Sequence, residues 1–122
     1  EFLVHLGGQL SSKIQIVNSA QRQMIHLAAV FSCNFVNHFY NIASRILINN
    51  DLPFELLYPL ILETANKVQG NLPGDVQTGP AKRNDQAIIK KHLELLSSNL
   101  WYQSLYSELS KSIRQEIEAD IN

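Results

Sequence analysis

NSAQRQMIHLAAVFSCNFVNHFYNIASRILINN, running from Asn18 to Asn50, contains neither Gly nor Pro. Its apolar residues Met24, Leu27, Ala28, Phe31, Phe35, Phe39, Ile42 and Ile46 recur at the three-to-four spacing that puts them on one side of an α-helix. Asn18 at its head is a favourable N-cap, because a short side-chain oxygen can accept from the first unpaired backbone N–H groups. The stretch therefore predicts one helix of roughly 45 to 50 Å at 1.5 Å per residue. That is longer than a small domain needs for its own core, and such a helix often lies against a partner subunit.

Working outward, Pro53 suits the first position of a second helix reaching about Gln69, with Pro59 predicted to kink it mid-way and Gly70 to close it. Residues 71–84 hold Pro73-Gly74 and Gly79-Pro80 and show no periodicity, so they read as a long loop of the kind that carries function. A helix from Asp85 to Asn99 follows, with Ile88, Ile89, Leu93, Leu95 and Leu96 on its apolar face. A last helix runs from about Leu100 to Ala119 through Leu105, Leu109, Ile113 and Ile117. Before Asn18, residues 1–6 read as a helix tail stopped by Gly7-Gly8, and Lys13–Val17 alternates like a half-buried strand. A single strand leaves its ladder groups unpaired, which favours a pairing partner in a preceding domain. The predicted class is an all-α helical bundle with one long central helix and a short N-terminal strand remnant.

The chain has 122 residues, 45% of them hydrophobic, enough for one domain with a core of its own. A net charge of −1 and a pI near 6.5 give no basic face for a phosphate backbone or an anionic membrane, and no apolar run approaches a membrane span. The one cationic concentration, Lys82, Arg83, Lys90 and Lys91, suits a phosphate or carboxylate on a small ligand better than a polymer. A single cysteine, Cys33, excludes an internal disulfide framework and fits the cytoplasm.

Chemistry concentrates in Thr78-Gly79-Pro80-Ala81-Lys82-Arg83-Asn84-Asp85, which sets a guanidinium and a carboxylate at the mouth of the next helix. Asp85 can cap that helix, and Arg83 can pair with Asp85 or with a C-terminal carboxylate, or can receive an anion beside the helix N–H groups. His92 lies two turns beyond Asp85, on the same face. On the long helix His26, Val30, Asn34, Asn37 and Asn41 form a polar stripe, either a solvated face or the wall of a cleft in which His26 and Asn34 reach a ligand. His26, His92 and Asp85 lack any spacing that pre-sets metal ligands, so no metal site is predicted. Nothing around Cys33 supports an activated thiolate.

His26-Leu-Ala-Ala-Val30-Phe-Ser-Cys-Asn34-Phe, then Pro59-Leu60, then Thr78-Gly79-Pro80-x-x-Arg83-x-Asp85, then His92-Leu93 resembles the C-terminal domain of bacterial Rossmann-like oxidoreductases that carry the uncharacterised DUF2520 domain. The resemblance spans roughly Leu6 to Leu96. In that family the loop reads Thr-Gly-Pro, two residues, Arg-Gly-Asp; here Asn84 replaces the glycine, and Asn is the residue best able to take a left-handed backbone after Gly.

The resemblance implies a helical domain similar to the C-terminal domain of 6-phosphogluconate dehydrogenase, which dimerises and closes a substrate cleft against a nucleotide-binding domain. Residues 1–17 would then end a missing N-terminal Rossmann-like domain, and 18–122 would be the helical substrate and dimerisation domain. NAD(P) is expected in the full-length protein. The fragment alone, which has no G-x-G-x-x-G, is expected to bind none and to be inactive. Wider relatives use a Lys and an Asn one turn apart on the long helix; here Val30 precedes Asn34, and His26 is the replacement candidate.

The expectation is an NAD(P)-dependent oxidoreductase domain acting on a small molecule, homodimeric through the long helix, with catalytic His26 and Asn34 and with Thr78, Arg83, Asp85 and His92 binding substrate. The alternative is a non-catalytic helical dimerisation or ligand-sensing module.

Overall fold

The computed structural model describes residues 17–121, and every regular element among them is helical. The predicted helix tail and nearly all of the predicted strand lie outside the described residues; Val17, inside them, is not in a strand. The described chain divides into two units, one ending at Pro59 and one beginning at Leu60.

In the first unit α1 (Ser19–Ala29) opens with a reciprocal capping box. The Gln21 N–H donates to Asn18 Oδ1 at 2.8 Å, and the Asn18 N–H donates to Gln21 Oε1 at 2.9 Å. Two donors that a helix start leaves unpaired are thereby satisfied. Helical backbone then continues through a π-helical stretch, Val30–Phe35, into α2 (Val36–Ile48). The helix predicted over 18–50 is present, with one feature its periodicity did not reveal. A π turn closes i→i+5 rings, so each residue rotates less about the axis than in an α-helix. The stripe from His26 through Asn34 to Asn41, drawn at 3.6 residues per turn, therefore does not continue in line across the π segment.

Asp51 ends α2 in a left-handed conformation with φ 58°. The Leu52 N–H donates to the Leu47 carbonyl at 2.9 Å and the Asp51 N–H to the Ile48 carbonyl at 3.1 Å. These are the paired bonds of a Schellman closure, in which glycine is the usual residue. After Pro53 the chain makes a 3-10 turn, Phe54–Leu57, before α3 (Tyr58–Gly70). This corrects the predicted mid-helix kink: Pro59 is the second residue of α3. A first-turn proline has no intrahelical N–H bond to lose, so the ring is accommodated without bending the helix.

The second unit also departs from the aperiodic loop expected over 71–84. It holds a 3-10 turn, Pro73–Val76, and one helical turn, α4 (Pro80–Arg83), each begun by a proline whose fixed φ favours the first helical position. Neither turn is long enough to show a hydrophobic period. Then come α5 (Gln86–Leu95) and α6 (Leu100–Ile121). α5 stops at Leu95 and does not reach Asn99, because Asn99 is used as a cap: its Oδ1 accepts from the Tyr102 N–H at 3.1 Å. α4 and α5 both pack against α6.

The expectation of a core of its own is not met. Among the described residues the buried hydrophobic side chains are Ala29 and Ala81. On the long helix Met24 is 62% exposed, Phe31 63% and Phe35 44%; on α6 Trp101 is 82% exposed. Phe31 and Phe35 stack edge to face at 5.1 Å along their own helix. A helix with an apolar stripe buries it only against a facing element, which sequence periodicity signals but does not supply.

Candidate functional site

The loop singled out by its charges is a tight helix-to-helix corner. Gly79, with φ 101° and ψ 171°, takes a backbone conformation that side-chain-bearing residues rarely adopt, although a Cβ there would meet nothing within 4 Å. Glycine is needed for its backbone freedom, not for room. α4 makes a single turn and is closed by Asn84 in the left-handed region, φ 55° and ψ 41°. The Asn84 N–H donates to the Ala81 carbonyl at 3.2 Å, and the Asp85 N–H to the Pro80 carbonyl at 2.9 Å. This second Schellman closure matches the left-handed conformation expected when asparagine stands for glycine. Asp85 at once starts the next helix, its Oδ1 accepting from the Ile88 N–H at 3.2 Å.

Two sharp reversals thus leave Arg83 exposed at the corner. Thr78, Lys82, Lys90 and Lys91 are exposed as well, and Asp85 is half-buried. Asp85 has a structural duty as an N-cap. Among the described residues the ion pairs are Glu63–Lys67, Glu108–Lys111 and Arg114–Glu118, so Arg83 is not held by Asp85. Among the described residues its guanidinium has no carboxylate partner.

His92 is committed to α6. Its Nδ1 is 2.8 Å from the Tyr106 hydroxyl, and the two rings meet edge to face at 5.7 Å. Burial pushes the Tyr106 phenol above its ordinary pKa. Gln103 Nε2 donates to the Leu93 carbonyl at 2.8 Å beside this pair. His92 therefore joins α5 to α6, while its sequence position suggested only the face it shares with Asp85.

Sequence reasoning missed Tyr106 and Arg114. Arg114 Nη1 donates to the Lys82 carbonyl at 3.2 Å and the Ala81 carbonyl at 3.4 Å. Gln103, Tyr106 and Arg114 recur at helical spacing on the face of α6 turned to α4 and α5, and that amphipathic register was the available signal. His26 and Asn34 belong to the first unit and are exposed, Asn34 inside the π-helical stretch. The loop residues and His92 belong to the second. An open groove of about 290 Å³ between the Pro73–Val76 turn and the end of α6 is lined by Gln77, Ile113, Glu116, Ile117 and Asp120, and by none of the predicted site residues. Among the described residues no three His, Cys, Asp or Glu side chains gather as a metal would need, and no helix is long and apolar enough to cross a membrane.

The fold and the corner define an all-α domain with a long capped helix and a Gly-Pro-Arg corner packed on its last helix. The family described as "Domain of unknown function (DUF2520)" matches residues 1–113, and the chain belongs to that family. A solved structure from Bacteroides fragilis, described as a "putative NADP oxidoreductase", superposes with a TM-score of 0.79 at 47% identity. The match covers 81% of this chain and 38% of that one, so the chain spans well under half of that protein. No curated protein matches the chain.

Proposed function

We propose that this chain is the C-terminal, substrate-side and dimerisation domain of an NAD(P)-dependent oxidoreductase of the cytoplasm. The observation that carries the reading is the 47% identity over 81% of the chain to the protein described as a "putative NADP oxidoreductase". The dinucleotide would be held by an N-terminal Rossmann-like domain. The described residues offer no strand leading into a Gly-rich turn, the arrangement that cradles a pyrophosphate.

Bound NAD(P) would supply the hydride chemistry; the side chains of this domain would act on the substrate. His26 gives or takes the proton at the reacting centre, and Asn34 orients the substrate oxygen. The exposed guanidinium of Arg83 holds an anionic group of a small substrate or a phosphate on the nicotinamide side, with Thr78 beside it. Asp85 and His92 keep the corner in shape through the Ile88 N–H and the Tyr106 hydroxyl. Residues 18–122 act as one helical domain, and Met24, Leu27, Phe31 and Phe35, each more than two-fifths exposed, supply the face that a second copy covers.

The test is turnover by the full-length protein with NADPH and a panel of small ketones and imines. His26→Ala and Arg83→Ala are each expected to abolish turnover with the circular dichroism spectrum unchanged. Wild-type rates in either variant would remove that residue from the mechanism. Tight NADPH binding with no turnover on any substrate would favour a sensing module. Phe31→Glu with Phe35→Glu should convert a dimer to a monomer by light scattering; a dimer that survives both changes would refute the proposed interface.

A further inference from the structure

The guanidinium of Arg114 is half-buried and is the one side chain described as reaching from α6 to the backbone of α4. It meets that turn toward its C-terminal end, where the helix carbonyls carry partial negative charge. One of its two acceptors, the Ala81 carbonyl, also receives the Asn84 N–H. Ala81 is 3% exposed, the most buried of the described hydrophobic residues, so the turn is seated on α6 at its middle while Arg83 projects from its end. Glu118, 3.8 Å away and 63% exposed, is too solvated a partner to hold the guanidinium by itself.

From this geometry we infer that Arg114 is a positioning residue: its guanidinium locks the turn Pro80–Arg83 against α6 and so fixes the direction in which Arg83 is offered to an anion. The inference rests on the proposed anion-binding role of Arg83 and adds the residue that aims it. A four-residue turn has few backbone bonds of its own, among them the Arg83 N–H to the Gly79 carbonyl at 3.3 Å and the Asn84 N–H to the Pro80 carbonyl, and cannot hold its own shape in water. The two hydrogen bonds from Arg114 Nη1 and the left-handed closure at Asn84 replace the missing length. Lysine, with a shorter stem and no planar guanidinium, does not hold two N–H bonds in a fixed plane.

The experiment compares Arg114→Met, Arg114→Lys, Arg83→Ala and Glu118→Gln in the full-length protein, with amide hydrogen exchange and titration with inorganic phosphate as readouts. Arg114→Met is expected to speed exchange at the Asn84 and Asp85 amides about tenfold while α5 beyond Ile89 and the middle of α6 keep wild-type rates. It is also expected to weaken phosphate binding several-fold, with Arg114→Lys recovering part of both losses and Glu118→Gln changing neither. Unchanged exchange at Asn84 and Asp85, or acceleration spread evenly over α5 and α6, overturns the inference. So does local acceleration with wild-type phosphate affinity, provided that Arg83→Ala abolishes binding. If Arg83→Ala binds phosphate as tightly as wild type, the anion-binding reading of Arg83 falls, and the exchange result alone decides whether Arg114 holds the turn.

Discussion

Asn84 is the point where the family's loop and this chain differ, and its backbone makes the consequence calculable. At φ 55° and ψ 41° an L-residue suffers contact between its Cβ and the following carbonyl oxygen, a cost of about 1–2 kcal/mol for alanine. Asparagine escapes most of that cost, and here its Oδ1 also accepts from Gln86 Nε2 at 2.7 Å. That bond is exposed and adds a few tenths of a kcal/mol at most, by the usual ~0.5–1.5 kcal/mol for a protein hydrogen bond discounted for solvent. Glycine has no Cβ to strain but loses more freedom on folding, roughly 0.5–1 kcal/mol relative to alanine. Asn84→Ala should therefore cost about 1 kcal/mol, and Asn84→Gly should stay within about 0.5 kcal/mol of wild type. Exchange of the Asn84 and Asp85 amides, which close the turn onto Ala81 and Pro80, reads this locally: about fivefold faster in the alanine variant and near wild type in the glycine variant. Equal stability and equal exchange for alanine and glycine would show that the corner does not depend on a left-handed residue, and the account of how Arg83 is presented would fail with it.

Asp51→Gly at the other left-handed position should raise stability by up to about 1 kcal/mol in thermal or urea unfolding, since Asp51 at φ 58° has no glycine-like freedom; a loss would point to an unrecognised role for its carboxylate. Asp85→Ala should cost about 1 kcal/mol through the lost cap to the Ile88 N–H, with Asp85→Asn and Asp85→Ser close to wild type, because all three capping side chains offer the needed oxygen. Tyr106 has its pKa raised by burial, so its contribution to stability is complete below the ordinary tyrosine range near ~10 and is lost as pH rises through the higher folded-state value. The wild-type protein should therefore lose stability in alkali in a step that Tyr106→Phe lacks, measured as urea midpoints from pH 8 to 11.

The helical class, the run from Asn18 to Asn50, the caps at Asn18 and Asp85 and the charged corner were all legible in the sequence, because each is a local matter: a period, a capping oxygen, a Gly-Pro pair. The π turn at Val30–Phe35 was not legible, since its composition is that of any apolar helix. The first-turn location of Pro59 and the turns at Pro73 and Pro80 were missed because pieces of four residues show no period. Which side chains serve the corner was decided by tertiary structure. His92 and Tyr106 are 14 residues apart and Arg114 lies 32 residues beyond Lys82, so only the packing of α4 and α5 on α6 brings their polar atoms within bonding distance. Apolar spacing foretold which helix face seeks burial, and the fold left that face of the long helix exposed, because one chain's stripe needs a second surface to bury it.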